Sequence, residues 1–192
     1  EEFLKVVGLL LLVLLDVEYG IGSAATLVVP LGFTTEDTPF PDDYPRLAWF
    51  GESGTASVYD ATRDPNWCRA VLGLMTQTAV VHGIRGGELR TWHGSTLDEA
   101  VLQDAARVPT ICIEDQTNQS SVFGDRVVLK TYRAVEEGTH PEVETGQWLA
   151  LQGTAGRTAP LLGVIEYRQR HREPMALALV HRFVPHESTA WQ

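Results

Sequence analysis

Apolar residues along this chain fall mostly in runs of strand length rather than in helical stripes. "LLLLVLLDVEY" (Leu9–Tyr19) and "TLVVPLGF" (Thr26–Phe33) are two such runs, with the turn residues Gly20–Ser23 between them, and they predict a strand pair. The first belongs to a longer apolar stretch, "VVGLLLLVLL" (Val6–Leu15). That stretch is too short to span a bilayer, which takes about 20 residues. Its leader "EEFLK" is acidic, and Asp16 and Glu18 follow it, which does not fit a signal peptide. A strand buried on both faces, or a pair of strands, fits it better. A polar, proline-bearing loop (Thr34–Pro45) comes next, and "RLAWFG" with "ASVYDA" predicts a short hairpin around Gly51–Gly54. The clearest helix start is "RDPNWCRAVLGLM", with Asp64 as N-cap and Pro65 at the first helical position. Trp67, Val71, Leu74 and Met75 then share one face, which predicts a core contact. "HGIRGGELRTW" is a turn into another strand.

From about Ala105 the texture changes. "PTICIEDQ" is a strand, "TNQ" a tight polar loop and "SSVF" a second strand, which Gly124–Asp125 turns into "RVVLKTYR". A helix follows Pro141, and "PLLGVIEYR" and "MALALVHRFV" are two more strands joined by the basic turn "YRQRHREP". The expected fold class is α+β. Residues 1–105 form a β-rich cap, and residues 106–192 carry a five-stranded antiparallel sheet with one helix.

Composition narrows the function classes. The chain has 192 residues and a formal net charge of -10. Phosphate-backbone binding needs a basic patch, so no nucleic-acid partner is expected, and the basic turn is expected to be solvated. Cys68 and Cys112 make neither a metal pattern nor a disulfide framework, which points to reduced thiols in the cytoplasm. Six histidines are scattered without metal-ligand spacing. "GESGTAS" lacks the strand-to-helix context of a nucleophile elbow, and "GIRGGEL" is a turn and not a dinucleotide fingerprint.

The chemistry concentrates at Lys130. Strand alternation puts Val128, Lys130 and Tyr132 on one face. An ammonium on a half-buried face is costly without a partner. The following helix offers Glu142 and Glu144, about 200° apart around its axis, so both cannot face the sheet. Trp148 and Leu151 lie on the face of Glu144; if that stripe packs on the sheet, Glu144 is the partner and Glu142 its solvated neighbour. The pattern fits an ordinary sheet-to-helix salt bridge. It also fits a kinase small lobe, in which a strand lysine holds ATP phosphates, a helix glutamate positions the lysine, and a loop between the two preceding strands covers the phosphates.

The stretches "EDQTNQSSVFGDRVVLKTYR", "AVEEGTHPEVETGQWL", "PLLGVIEYR" and "ALVHRFVP" resemble the maltokinases, ATP-dependent kinases of the aminoglycoside-phosphotransferase-like group that make maltose 1-phosphate. "LLLLVLLDVEYG" followed by "LVVPLGF" resembles the cap that precedes their kinase lobe. The resemblance implies Lys130 as the phosphate-binding lysine and Glu144 as its partner. It further implies Asn118, Gln119, Ser120 and Ser121 as the phosphate-covering loop, with the side chains of Asn118 and Ser120 offered to the phosphates. Arg182, Phe183 and Val184 would be the hinge whose backbone meets adenine, flanked by His181 and His186. The implied substrates are ATP and maltose, with Mg2+, and trehalose synthase is an implied partner. Capped kinases acting on glucosamine are close competitors, and a non-catalytic module that binds a nucleotide or a protein is the reading from another class. Two departures stand out. His140 occupies the position where the family has Asn before the helix proline, and it is a poorer N-cap. The chain also stops at "VPHESTAWQ", so the family's C-terminal lobe, with its catalytic and metal-binding aspartates, is expected to be missing.

Overall fold

The structure is a computed structural model of the full chain. It describes residues 2–7, 10–20, 24–35, 44–50, 56–76, 80–94, 109–112, 118–152 and 158–185. The element order is β1 (Glu2–Val7), β2 (Leu10–Glu18), β3 (Ala24–Thr34), β4 (Arg46–Phe50), β5 (Ala56–Asp60), α1 (Pro65–Thr76), β6 (Val80–His82), β7 (Glu88–His93), β8 (Thr110–Cys112), β9 (Asn118–Phe123), β10 (Val127–Tyr132), β11 (Ala134–Val135), α2 (Pro141–Leu151), β12 (Leu161–Arg168) and β13 (Met175–Arg182). The apolar stretch near the start divides between β1 and β2, which pair antiparallel.

The strands make two antiparallel sheets. The first runs β1-β2-β3-β5-β4, with the short β11 pairing onto β3. The second runs β6-β7-β12-β13-β10-β9-β8. The five strands expected after residue 105 are contiguous in this second sheet, but the sheet has seven strands, not five. β7 pairs along β12 from Gly163↔His93 to Arg168↔Glu88, so β6 and β7, from before residue 105, extend it. The segment after β10 stitches the sheets together. Ala134 and Val135 pair with Leu27 and Thr26, and Val28 N–H donates to Arg133 O at 2.9 Å.

Helix α1 begins where its cap requires. Asp64 Oδ1 accepts from Asn66 N–H at 2.7 Å, and Tyr59 O–H donates to Asp64 Oδ2 at 2.6 Å. Trp67, Val71, Leu74 and Met75 are all buried. Side chains from β2 and β3, from α1 and from the second sheet line one small apolar void of about 20 Å³, so both sheets close on a common core.

The hairpin from β9 to β10 sets the register of Lys130. Gly124 and Asp125 have φ of 54° and 52°, the left-handed pair that a tight hairpin turn needs. Arg126 N–H donates to Phe123 O at 3.0 Å, and the ladder then places Ser120 and Leu179 on either side of Lys130. The basic turn between β12 and β13 is solvated as expected, with Arg168 paired to Glu166 and Arg172 to Glu137.

Candidate functional site

Alternation along β10 separates two environments. Val127 and Leu129 are buried on the face that packs toward α1, while Val128 and Lys130 are half-buried on the other. Direct cross-strand partners share a face, so Asn118, Ser120 and Val122 of β9 and His181 of β13 lie beside Val128 and Lys130. All six are half-buried. They form a half-buried shelf on the sheet, with α2 at one side.

Lys130 is paired, and its partner is Glu142. Lys130 Nζ lies 2.6 Å from Glu142 Oε1, with the two side chains 22% and 40% exposed. The expectation of Glu144 is therefore corrected: Glu144 is exposed, and so are Trp148 (57%) and Leu151 (84%). The helix turns its small residues inward. Val143 is buried, and a Cβ on Gly146 would stand 2.8 Å from Leu161 Cβ. Glu142, Gly146 and Leu149 recur at the four- and three-residue spacing of one helical face. Hydrophobic bulk at Trp148 and Leu151 pointed to the wrong face. The glycine, which permits close approach of helix and strand, was the signal that could have found the right one.

The first turn of α2 is held by an unusual cap. His140 is the N-cap, and its Nδ1 accepts from Glu142 N–H at 3.2 Å. The imidazole supplies the acceptor that an asparagine oxygen would, which requires that nitrogen to be unprotonated. Burial, the largest cause, keeps the His140 pKa below its usual value, with Lys130 adding to the effect and Glu142 opposing it. The ring packs against Tyr132 at 4.5 Å between centroids.

Glu142 is the hub of this corner. Burial raises its pKa, but the hydrogen bond and charge of Lys130, followed by His140 and His181, outweigh burial and hold it below the ordinary range. His181 Nε2 stands 3.9 Å from Glu142 Oε2. Burial first, and then the Glu142 charge, push the Tyr132 hydroxyl well above its usual range.

Asn118–Ser121 lie within strand β9 and not in a loop. Their backbones pair with Lys130–Tyr132 and Leu129, and Ser120 and Ser121 also pair with β8. Gln119 (3% exposed) and Ser121 (1%) point into the core. Ser121 Oγ meets Cys68 Sγ at 3.3 Å, and Gln119 Nε2 donates to Ser120 O at 3.0 Å. These bonds let polar side chains sit in a buried strand face. Asn118 and Ser120 share the shelf with Lys130; the turn before them, 113–117, lies outside the described residues. At the expected hinge, Arg182 N–H donates to Pro160 O at 3.0 Å and Phe183 N–H to Arg126 O at 2.8 Å. Neither amide is open to a base edge in this arrangement. Val184 is exposed, and His186 lies outside the described residues.

Cys68 is a buried free thiol, its pKa pushed up to about 11 by burial above all. Among the described residues no group of three or more His, Cys, Asp or Glu could hold a metal ion, so the divalent ion implied by the resemblance has no donor set there. No helix among them is long and apolar enough to cross a membrane.

No protein-family model matches the chain. In sequence it is similar to a glucosamine kinase of Mycolicibacterium smegmatis (strain ATCC 700084 / mc(2)155), 26% identical over 147 residues, which is 76% of this chain and 36% of that protein. In structure it is similar to a glucosamine kinase in complex with glucosamine, ADP and inorganic phosphate. The TM-score is 0.55 at 14% identity, covering 95% of this chain and 34% of the other. The chain thus spans about a third of the length of each. The structural likeness is one of fold, and together with the sequence likeness it supports a sugar kinase-like relationship.

Proposed function

We propose that this chain supplies the nucleotide-facing sheet of an ATP-dependent kinase acting on a sugar. Lys130 is the cation that holds the phosphates, and Glu142 is the carboxylate that holds Lys130. One observation carries the reading. A strand lysine, 22% exposed among the half-buried side chains of Asn118, Ser120 and His181, is fixed at 2.6 Å by the first turn of the following helix. Phosphoryl transfer spreads negative charge over the phosphate oxygens, and a cation already in place offsets it without reorganisation.

Within this reading Asn118 and Ser120 line the phosphate end of the shelf, and the segment Arg182–Val184 borders its far end. Residues 1–105 act as a cap and 106–192 as the nucleotide lobe, with β6 and β7 lent to the lobe's sheet by the first part. Glucosamine is the favoured sugar, because the proteins named above as similar in sequence and in fold are glucosamine kinases. Maltose is the second reading, carried by the maltokinase resemblance of the motifs around Lys130.

The test is ATP consumption by the protein carrying this chain, with glucosamine and with maltose as acceptors. The expected result is sugar-dependent formation of ADP and a sugar phosphate, faster with glucosamine. Lys130→Ala should lower the rate by about 100-fold or more, the scale of removing one charge-stabilising donor. An undiminished rate in Lys130→Ala would exclude the role given to that lysine.

A further inference from the structure

Lys130 occupies one oxygen of Glu142, and the second oxygen faces an imidazole. His181 Nε2 stands 3.9 Å from Glu142 Oε2, too far for a hydrogen bond. That nitrogen is buried and has no hydrogen-bond partner among the described residues. The other ring nitrogen, Nδ1, lies 3.4 Å from Ala159 O. A carbonyl can only accept, so Nδ1 carries the hydrogen. In the neutral ring Nε2 is then a bare lone pair facing a carboxylate, which accounts for the long distance. A proton on Nε2 turns this opposition into a charge-assisted hydrogen bond.

We propose that His181 is a positioning residue for the Lys130–Glu142 pair: with a proton on Nε2 it takes hold of Glu142 Oε2 and fixes the carboxylate that presents Oε1 to Lys130. The placement suits this role. His181 stands opposite Val128 on β10 and Leu161 on β12, on the shelf face and one residue before the end of β13. The groups that act on it come from each neighbouring element: Lys130 from β10, Glu142 from α2 and the Ala159 carbonyl before β12. Tyr132 and His140 complete the same corner around Glu142. Burial, the largest cause, keeps the ring neutral near pH 7, while Glu142 pulls its pKa up and Lys130 pushes it down. An incoming polyanion adds negative charge beside Lys130 and favours the proton. Nucleotide binding and proton uptake at His181 are therefore linked, and affinity rises as pH falls.

The binding part rests on the proposed nucleotide role of Lys130, but the His181–Glu142 link does not, and the experiment separates them. The first arm uses no ligand. The titration midpoint of the His181 ring is followed by NMR in the full chain, its signal assigned by its loss in His181→Gln. Glu142→Gln should lower the midpoint by about one pH unit, the size of a close charge effect, and Lys130→Ala should raise it. A midpoint that moves in neither variant overturns the proposal. The second arm measures ATP affinity from pH 7.5 to pH 5.5. Wild type should tighten by about 3–10-fold more than His181→Gln, whose amide donates to Glu142 at every pH. Equal pH dependence in the two chains, where Lys130→Ala does weaken ATP binding, also overturns the proposal. If the midpoints shift as expected while ATP affinity ignores Lys130→Ala, the His181–Glu142 link stands and the nucleotide reading fails.

Discussion

Replacing Lys130 together with either of two nearby glutamates separates an ion pair from a mere neighbour. A double-mutant cycle between Lys130→Ala and Glu142→Gln, read by urea unfolding at pH 7, should give a coupling of about 0.5–1 kcal/mol. That is the scale of a pair still partly reached by water. The same cycle with Glu144→Gln should give none, since Glu144 points to solvent. Coupling to Glu144 of equal size would show that the helix sits in the other rotation. His140→Ala should cost about 1 kcal/mol, the value of a helix cap. Lys130 itself was legible in the sequence, because strand alternation alone requires a half-buried ammonium to find a partner. Its partner was not. That choice depended on which way α2 rolls, and two large apolar side chains, Trp148 and Leu151, outvoted a glycine. His140 is legible as a weak cap position, but that its ring nitrogen supplies the capping acceptor for Glu142 N–H is not.

Helix α2 approaches β12 as closely as it does because residue 146 has no side chain. An added Cβ would stand 2.8 Å and 2.9 Å from Leu161 Cβ and Cδ2, and a Cβ held to a strand backbone cannot step aside. Gly146→Ala gains about 1 kcal/mol of helix propensity and incurs an overpacking cost of about 1–3 kcal/mol. The expected net loss, up to about 2 kcal/mol, is measured by urea unfolding, and a stabilised variant would show that the helix has room to move. Strand β9 runs against its local composition. Its run "TNQSS" has turn composition, and hairpin loops are built from such residues. It is strand because Gln119 and Ser121 find hydrogen-bond partners inside, a tertiary fact that local composition does not carry. Helix α1 is legible in the sequence, since Asp64 and Pro65 mark its start by chemistry that acts within one turn.

Across the whole molecule, most strand runs were legible and sheet membership was not. β6 and β7 look like a local hairpin, and nothing in "ELRTW" says that it will pair with a strand some seventy positions later. The second sheet takes strands from both sides of the texture change near Ala105. The pH response of the folded chain follows from three groups. His140 and His181 hold pKa values below the ordinary 6.5. The unfolded chain therefore takes up protons first, so stability is complete above pH 6.5 and falls as pH drops through it. Glu142 is held below the ordinary 4.5, so its contribution is present above that value and is lost as pH falls further. Urea midpoints should show a plateau above pH 7, a decline beginning near pH 6.5 and a second below pH 4.5. Lys130→Ala should flatten the second decline, and a profile unchanged in that variant would contradict the assignment. The central claim is that Lys130 is a phosphate-holding cation. The measurement that tests it most directly is a calorimetric titration of the 192-residue chain with ATP, in wild type, Lys130→Ala and Glu144→Gln. Wild type and Glu144→Gln should bind alike, and Lys130→Ala should bind at least about 10-fold more weakly, the loss expected for one charge-assisted contact. Equal affinity in all three chains would contradict the account.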